Sequence, residues 1–328
     1  MSRKKKLSVI TVAYNMPRQA LNTAYSLSIN HQKNVDESDY EIILMENSSN
    51  NNIDPDELKK IGGNIKHMLR NEPSQSPTPA INEAFAIAES DYICFIIDAA
   101  RMVTPRVIEY ALMARAVSPA SVFSVPSYNL GPCEHQDQEL HGYDESVEQK
   151  LLDHINWKSN GYRLFDICNI SEANQKGIFH PLLESNFLAS SFHNFASIGF
   201  ACPDFMLPGG GGINLHMFRS IATKKTTHYL FTAPGEGSFH QIHGGITTKQ
   251  DPERVNTINH FRTQLESYWN GNFQPVSREP VLLGAVGSHA QKFLYSYSKL
   301  GEKRWQWRNQ HNLPIWQDEE ILHPHKTH

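Results

Sequence analysis

Apolar positions along this chain gather into short uninterrupted runs, separated by stretches with helical or irregular spacing. The most pronounced run, Tyr92-Ile93-Cys94-Phe95-Ile96-Ile97, stops abruptly at Asp98. Its length, its aromatic and β-branched content and its polar boundaries predict a strand buried on both faces. Residues 7–14 alternate and are β-branched, which predicts a first strand, with Asn15-Met16-Pro17 as the turn out of it. Residues 40–45 predict a second buried strand, ending in Glu46-Asn47-Ser48-Ser49 and a polar loop, and residues 64–69 a shorter third. Between the first two, Ala20, Leu21, Ala24, Leu27 and Ile29 recur close to helical spacing. Pro79 falls near the first turn of a helix over residues 80–88, where its missing N–H costs little, and Pro105 opens another running to about residue 116.

The order β-α-β-β-α-β-α predicts an α/β fold with a mostly parallel central sheet flanked by crossover helices. Asn15, Glu46 and Asp98 each fall at the carboxyl end of a strand. Ligands of open α/β sheets bind at that edge, so three polar residues there point to one crevice. Residues 121–128 predict one more strand. Residues 129–176 turn polar and loop-rich, with a helix near residues 144–154, as expected of an insertion covering one side of a site. Then come a Gly209–Gly212 run, a helix over residues 213–222, a short strand at residues 229–232, and the glycine-rich segment 235–245. Helical spacing returns over residues 252–270 and 288–300.

Charge removes several classes. Thirty Lys and Arg against 34 Asp and Glu give a net charge of −4, so nothing global favours nucleic acid or an anionic membrane. No apolar stretch approaches the roughly 18 residues of a membrane span, and none at the N-terminus resembles a secretory leader, so a cytoplasmic location is expected. The four cysteines form no CxxC pair, which argues against a zinc knuckle or a disulfide framework.

Four segments carry a resemblance. Val9-Ile10-Thr11-Val12-Ala13-Tyr14-Asn15, Glu41-Ile42-Ile43-Leu44-Met45-Glu46-Asn47-Ser48-Ser49, Ala80-Ile81-Asn82-Glu83-Ala84 and residues 92–98 occur in an order and spacing similar to family-2-like glycosyltransferases of the GT-A fold. The resemblance implies a nucleotide-sugar-dependent transferase moving a sugar, from a UDP-sugar in the first instance, to an acceptor hydroxyl in polysaccharide or glycoconjugate synthesis. It implies that Thr11, Ala13 and Tyr14 line the base pocket with Asn15 beside them, and that Glu46 takes the place of an Asp contacting base or ribose. Asn82 matches the helix Asn of the family, and Asp98 the first position of its DxD motif, followed here by Ala99, Ala100 and Arg101. A GT-A domain over residues 1–245, with a nucleotide half at 1–128 and an acceptor half at 129–245, would precede a C-terminal helical extension at 246–328.

The sequence departs from the family twice. Asp98-Ala99-Ala100 lacks the second carboxylate that would hold the Mn²⁺ or Mg²⁺ bridging the diphosphate. His240 and His243, in Ser238-Phe239-His240-Gln241-Ile242-His243, are the expected replacement; their odd separation puts them on opposite faces of a strand, where only one would reach the ion, but on the same face of a helical turn. Arg101 offers another solution, neutralising the diphosphate directly. The second departure concerns the general base: glycines stand where the family carries its acidic pair, leaving Asp204 or Glu184 as bases from neighbouring loops. Alternatively the enzyme retains anomeric configuration and the departing phosphate takes the proton. A non-catalytic nucleotide-sugar-binding relative and a nucleotidyltransferase are the alternative functions.

Overall fold

The computed structural model describes residues 5–72, 75–138, 142–171, 174, 182, 184–245, 254–270, 276, 278–294, 306 and 310–311. The chain opens with β1 (Leu7–Ala13), α1 (Pro17–Leu27), β2 (Tyr40–Asn47), α2 (Pro55–Ile61), β3 (Ile65–Arg70), α3 (Thr78–Ile87) and β4 (Tyr92–Ile96). It continues through β5 (Arg101–Val103), α4 (Val107–Val117), β6 (Val122–Ser124), β7 (Ser127–Leu130), α5 (His135–Gln138), α6 (Glu145–Ile155) and β8 (Cys168–Ile170). The last part holds β9 (Leu188–Ser191), α7 (Phe192–Ala196), α8 (Ile213–Ala222), β10 (Leu230–Thr232), β11 (Ser238–His240), α9 (Arg254–Trp269) and β12 (Val281–Leu282).

Eight strands form the central sheet in the order β12-β10-β6-β9-β4-β1-β2-β3. All pairings are parallel except those of β9, which runs antiparallel to β4 and β6. Every residue of β1, β2 and β4 is buried. Side chains alternate between two cores, as strand geometry requires. On one face Ile10, Ile43, Ile93 and Phe95 pack against Ile81 and Phe85 of α3 and Phe218 and Ile221 of α8. On the other, Val9, Ile42, Tyr92 and Ile96 pack against Ile108 and Ala111 of α4. Each fully buried aliphatic or aromatic side chain contributes roughly 1.5–3 kcal/mol, so this three-layer arrangement makes a rigid frame for the loops at the sheet's carboxyl edge.

Two local expectations are corrected. Residues 121–128 are not one strand: β6 belongs to the large sheet, whereas β7 joins a second sheet of order β5-β11-β7-β8. Val125 and Pro126 separate them, and proline has no N–H to continue a ladder. The loop after β2 contains α2, with Pro55 in its first turn and the Asp54 carboxylate accepting from Asp56 N–H at 2.8 Å. The helix expected over 252–270 is α9; that over 288–300 is helical at 288–294, its remainder lying outside the described residues. Leu265 of α9 shares the core of α3 and α8, and Phe293 packs with Tyr128, Phe165 and Phe239 on the second sheet. Among the described residues no helix is long and apolar enough to cross a membrane.

Candidate active site

At the end of β4 the chain turns sharply. Ala99 N–H donates to Val12 O at 2.8 Å, and the Asp98 carboxylate accepts from Ala100 N–H at 3.0 Å, capping its own turn. Ala99 and Ala100 are fully buried against Ala20 and Ala24 of α1, which explains why no carboxylate follows Asp98 closely. The turn feeds β5, which pairs antiparallel with β11 so that Arg101 stands opposite His240. Arg101 Nε lies 3.5 Å from Asp98 Oδ2, and another of its nitrogens reaches Ser127 Oγ at 3.3 Å.

Strand β11 ends at His240, and residues 241–243 lie outside any strand. The alternation that would have separated the two side chains therefore does not apply, and both rings converge. Ligand atoms of Asp98, His240 and His243 lie within 4.8 Å of one another. The two Nε2 atoms are 2.9 Å apart, one ring donating and the other accepting. Two nitrogens held at about 2.05 Å by one ion lie about 2.9 Å apart at adjacent octahedral positions and about 3.3 Å apart at tetrahedral ones. One carboxylate and two imidazoles at this spacing fit a six-coordinate divalent cation that keeps open positions for phosphate oxygens or water.

A third histidine was not anticipated. His135, at the start of α5, is buried, with its ring centroid 4.5 Å from that of His240. The Leu130 and His240 carbonyls face it, yet among the described residues neither ring nitrogen finds a well-formed hydrogen bond. Burial, then His243 and Arg101, push its pKa down to about 3. Burial, then Arg101 and the neighbouring histidines, likewise hold His240 well below the usual imidazole range. Neutral imidazole is the form in which a histidine can ligate a metal. Nothing in the Cys133-Glu134-His135 stretch carried a signal; only packing brings it here.

Of the other sequence-derived positions, Thr11 and Ala13 are buried within β1, Thr11 Oγ1 having no partner among the described residues, while Tyr14 is half-buried and Asn15 exposed at the sheet edge. Asn15 takes a left-handed conformation (φ 55°), which turns the chain into α1. Glu46 is buried, one oxygen accepting from Ile53 N–H and the other meeting His67 Nε2, both at 2.8 Å. Asn82 bonds both the carbonyl and the N–H of Ala201, pinning that loop to α3. Glu184 precedes β9, whose Leu188 pairs with Phe95, so it lies towards the same sheet edge as Asp98. Its two oxygens accept from the Asn186 and Asn214 amides, each at 2.9 Å, at the start of α8. Asp204 is exposed, its carboxylate bonded by the Tyr268 phenol and its carbonyl by Gln264, both from α9.

Residues 8–168 match the model of the family described as glycosyl transferase family 2. No curated protein sequence matches the chain. Among solved structures, the mannosyltransferase PcManGT from Pyrobaculum calidifontis in complex with GDP-Man and Mn²⁺ is similar in fold, with TM-score 0.50 and 12% identity over 92% of this chain and 71% of that one. S. aureus TarS 1-349 in complex with UDP-GlcNAc gives TM-score 0.47 at 11% identity, covering 80% of this chain and 73% of that one. Against another S. aureus TarS structure the share of that chain falls to 40%, again over 80% of this one, with TM-score 0.46 and 11% identity.

Proposed function

Because this chain is a family-2-like glycosyltransferase with the GT-A fold, we propose that it moves a sugar from a nucleoside diphosphate sugar, with UDP as the first nucleotide to test, to an acceptor hydroxyl. The observation that carries the reading is the convergence of Asp98, His240 and His243 beside Arg101 at the sheet's carboxyl edge. A divalent cation of the Mn²⁺ type, when bound, neutralises the diphosphate and makes it a better leaving group. Asp98, His240 and His243 would hold that ion, and the buried Arg101 guanidinium supplies a second fixed positive charge for the phosphates. Tyr14 and Asn15 stand at the end of β1 where a base or ribose would lie, with Glu46 holding the loop that follows β2. The nucleotide half is assigned to residues 1–128 and the acceptor half to residues 129–245.

Glu184 is the preferred acceptor-side base. Two amides orient its carboxylate at the edge that carries Asp98, whereas the Asp204 carboxylate is engaged by Tyr268. Calorimetric titration with UDP, with and without Mn²⁺, followed by turnover with a panel of nucleotide sugars, tests the proposal. Mn²⁺-dependent nucleotide binding and release of the free nucleoside diphosphate are the expected results. Absence of binding by any nucleoside diphosphate sinks the reading, binding with no turnover indicates a non-catalytic relative, and pyrophosphate release indicates nucleotidyl transfer.

A further inference from the structure

The dipeptide between the two histidines is held with unusual completeness. Ile242 N–H donates to Glu148 Oε2 at 2.8 Å, while Ile242 O accepts from Gln19 Nε2 at 2.6 Å and from Arg18 at 3.3 Å. Gln241 N–H donates to Ala100 O at 2.9 Å, in the turn that carries Asp98. The Gln241 side chain accepts from Asn22 at 2.9 Å and donates to Gln19 O at 3.1 Å. Glu148 itself is a wholly buried carboxylate on α6. Its other oxygen, Oε1, accepts from Arg18 at 2.8 Å, and Tyr143 donates to Oε2 at 3.3 Å.

A buried carboxylate costs several kcal/mol in desolvation unless it is paired and fully hydrogen-bonded, so its presence needs a structural purpose. An apolar pair of similar volume can in general fill the space of a buried ion pair, so packing alone does not call for one. What an apolar pair cannot do is capture a backbone N–H. Two successive peptide groups, the first bound at its N–H from α6 and the second at its carbonyl from α1, fix the backbone on both sides of Ile242, and His243 is attached directly to the second.

We propose that Glu148 is a positioning residue for the cation site: with Arg18 and Gln19 it locks the backbone on both sides of Ile242, so that His243 stays beside His240 and Asp98. This rests on the metal reading above. Helix α6 comes from the insertion at residues 129–176, so that insertion buttresses the site from behind. The lock also accounts for the loss of a second carboxylate after Asp98. A histidine carried on a loop more than a hundred residues downstream replaces an adjacent acid only if the loop is held as stiffly as the turn it serves.

The test is Mn²⁺ binding to the full chain, followed by calorimetry and by the EPR signal of free Mn²⁺. Pulsed EPR counts the imidazole nitrogens on the bound ion, and thermal melting in chelator reports the fold. In Glu148→Gln the amide cannot satisfy Ile242 N–H and the Arg18 donors together. Mn²⁺ affinity is expected to fall about 10–100-fold, the usual cost of removing a residue that orients a ligand. One of two imidazole couplings should weaken, with UDP affinity in chelator unchanged. If Glu148→Gln does not fold, Gln19→Met, which releases the Ile242 carbonyl, replaces it with the same expectation. A folded variant with Mn²⁺ affinity within twofold of the parent and both couplings intact overturns the proposal. A parent protein that binds no Mn²⁺, with or without UDP, overturns the metal reading itself, and this shows before any substitution is made.

Discussion

The contact between Gly212 and α9 allows a quantitative test of how the glycine run is held. Gly212 precedes α8 with φ −90° and ψ 21°, a conformation open to alanine, so Gly212→Ala introduces no backbone strain. A Cβ there would sit 2.5, 2.6 and 2.8 Å from the Cδ1, Cγ and Cδ2 atoms of Leu265, far inside van der Waals contact. Leu265 is fully buried in the core shared with α8 and cannot swing into solvent. Overpacking of this kind costs about 1–3 kcal/mol. Leu265→Ala alone should cost about 2–5 kcal/mol, a transfer loss plus the cavity it leaves. In the double variant the methyl at position 212 enters that cavity, so its cost should fall short of the sum of the two single costs by at least about 1 kcal/mol. Urea denaturation of the four proteins closes the cycle. Additivity within about 0.5 kcal/mol, or a neutral Gly212→Ala, would refute the claim that α9 is seated on the glycine run.

Three further outcomes follow from the site and its frame. Asp98→Asn should remove a charge-assisted contact of about 1.5–3 kcal/mol and thus at least about tenfold of the Mn²⁺-dependent gain in UDP affinity; an unchanged gain, measured by calorimetry, excludes Asp98 as a ligand. Glu184→Gln should lower kcat by about 10²–10⁴ with UDP affinity intact, while Asp204→Asn should leave kcat near the parent value; the reverse pattern would move the base role to Asp204. His31 is buried and its Nε2 lies 3.0 Å from Val103 O, and burial pushes its pKa from 6.5 down to about 4. Between those two values the unfolded chain binds the proton and the folded one does not. Stability should therefore fall by about 3 kcal/mol as pH drops from 6.5 to 4, and the acid branch of the melting profile should be shallower in His31→Gln. Superimposable slopes for the two proteins would refute that assignment.

The sequence by itself determined the central sheet's parallel strands, their crossover helices and the carboxyl-edge placement of Asn15, Glu46 and Asp98. Those features are local: a buried strand must be apolar at nearly every position, and the break in the run marks the sheet edge. The small helix α2 was also legible in principle, from Asp54-Pro55, but the polar composition around it hid the cap. Tertiary structure alone decided the geometry of the candidate cation site. His240 and His243 converge because β11 stops where it does and Glu148 captures the next peptide, while His135 arrives from an insertion with no pattern of its own. Arg101 meets His240 through antiparallel pairing of segments well over a hundred residues apart. The reason is physical: periodicity records which side chains must leave water. The convergence of a carboxylate, an arginine and three imidazoles depends on strand register and on buried hydrogen bonds between distant residues, neither of which leaves a periodic trace.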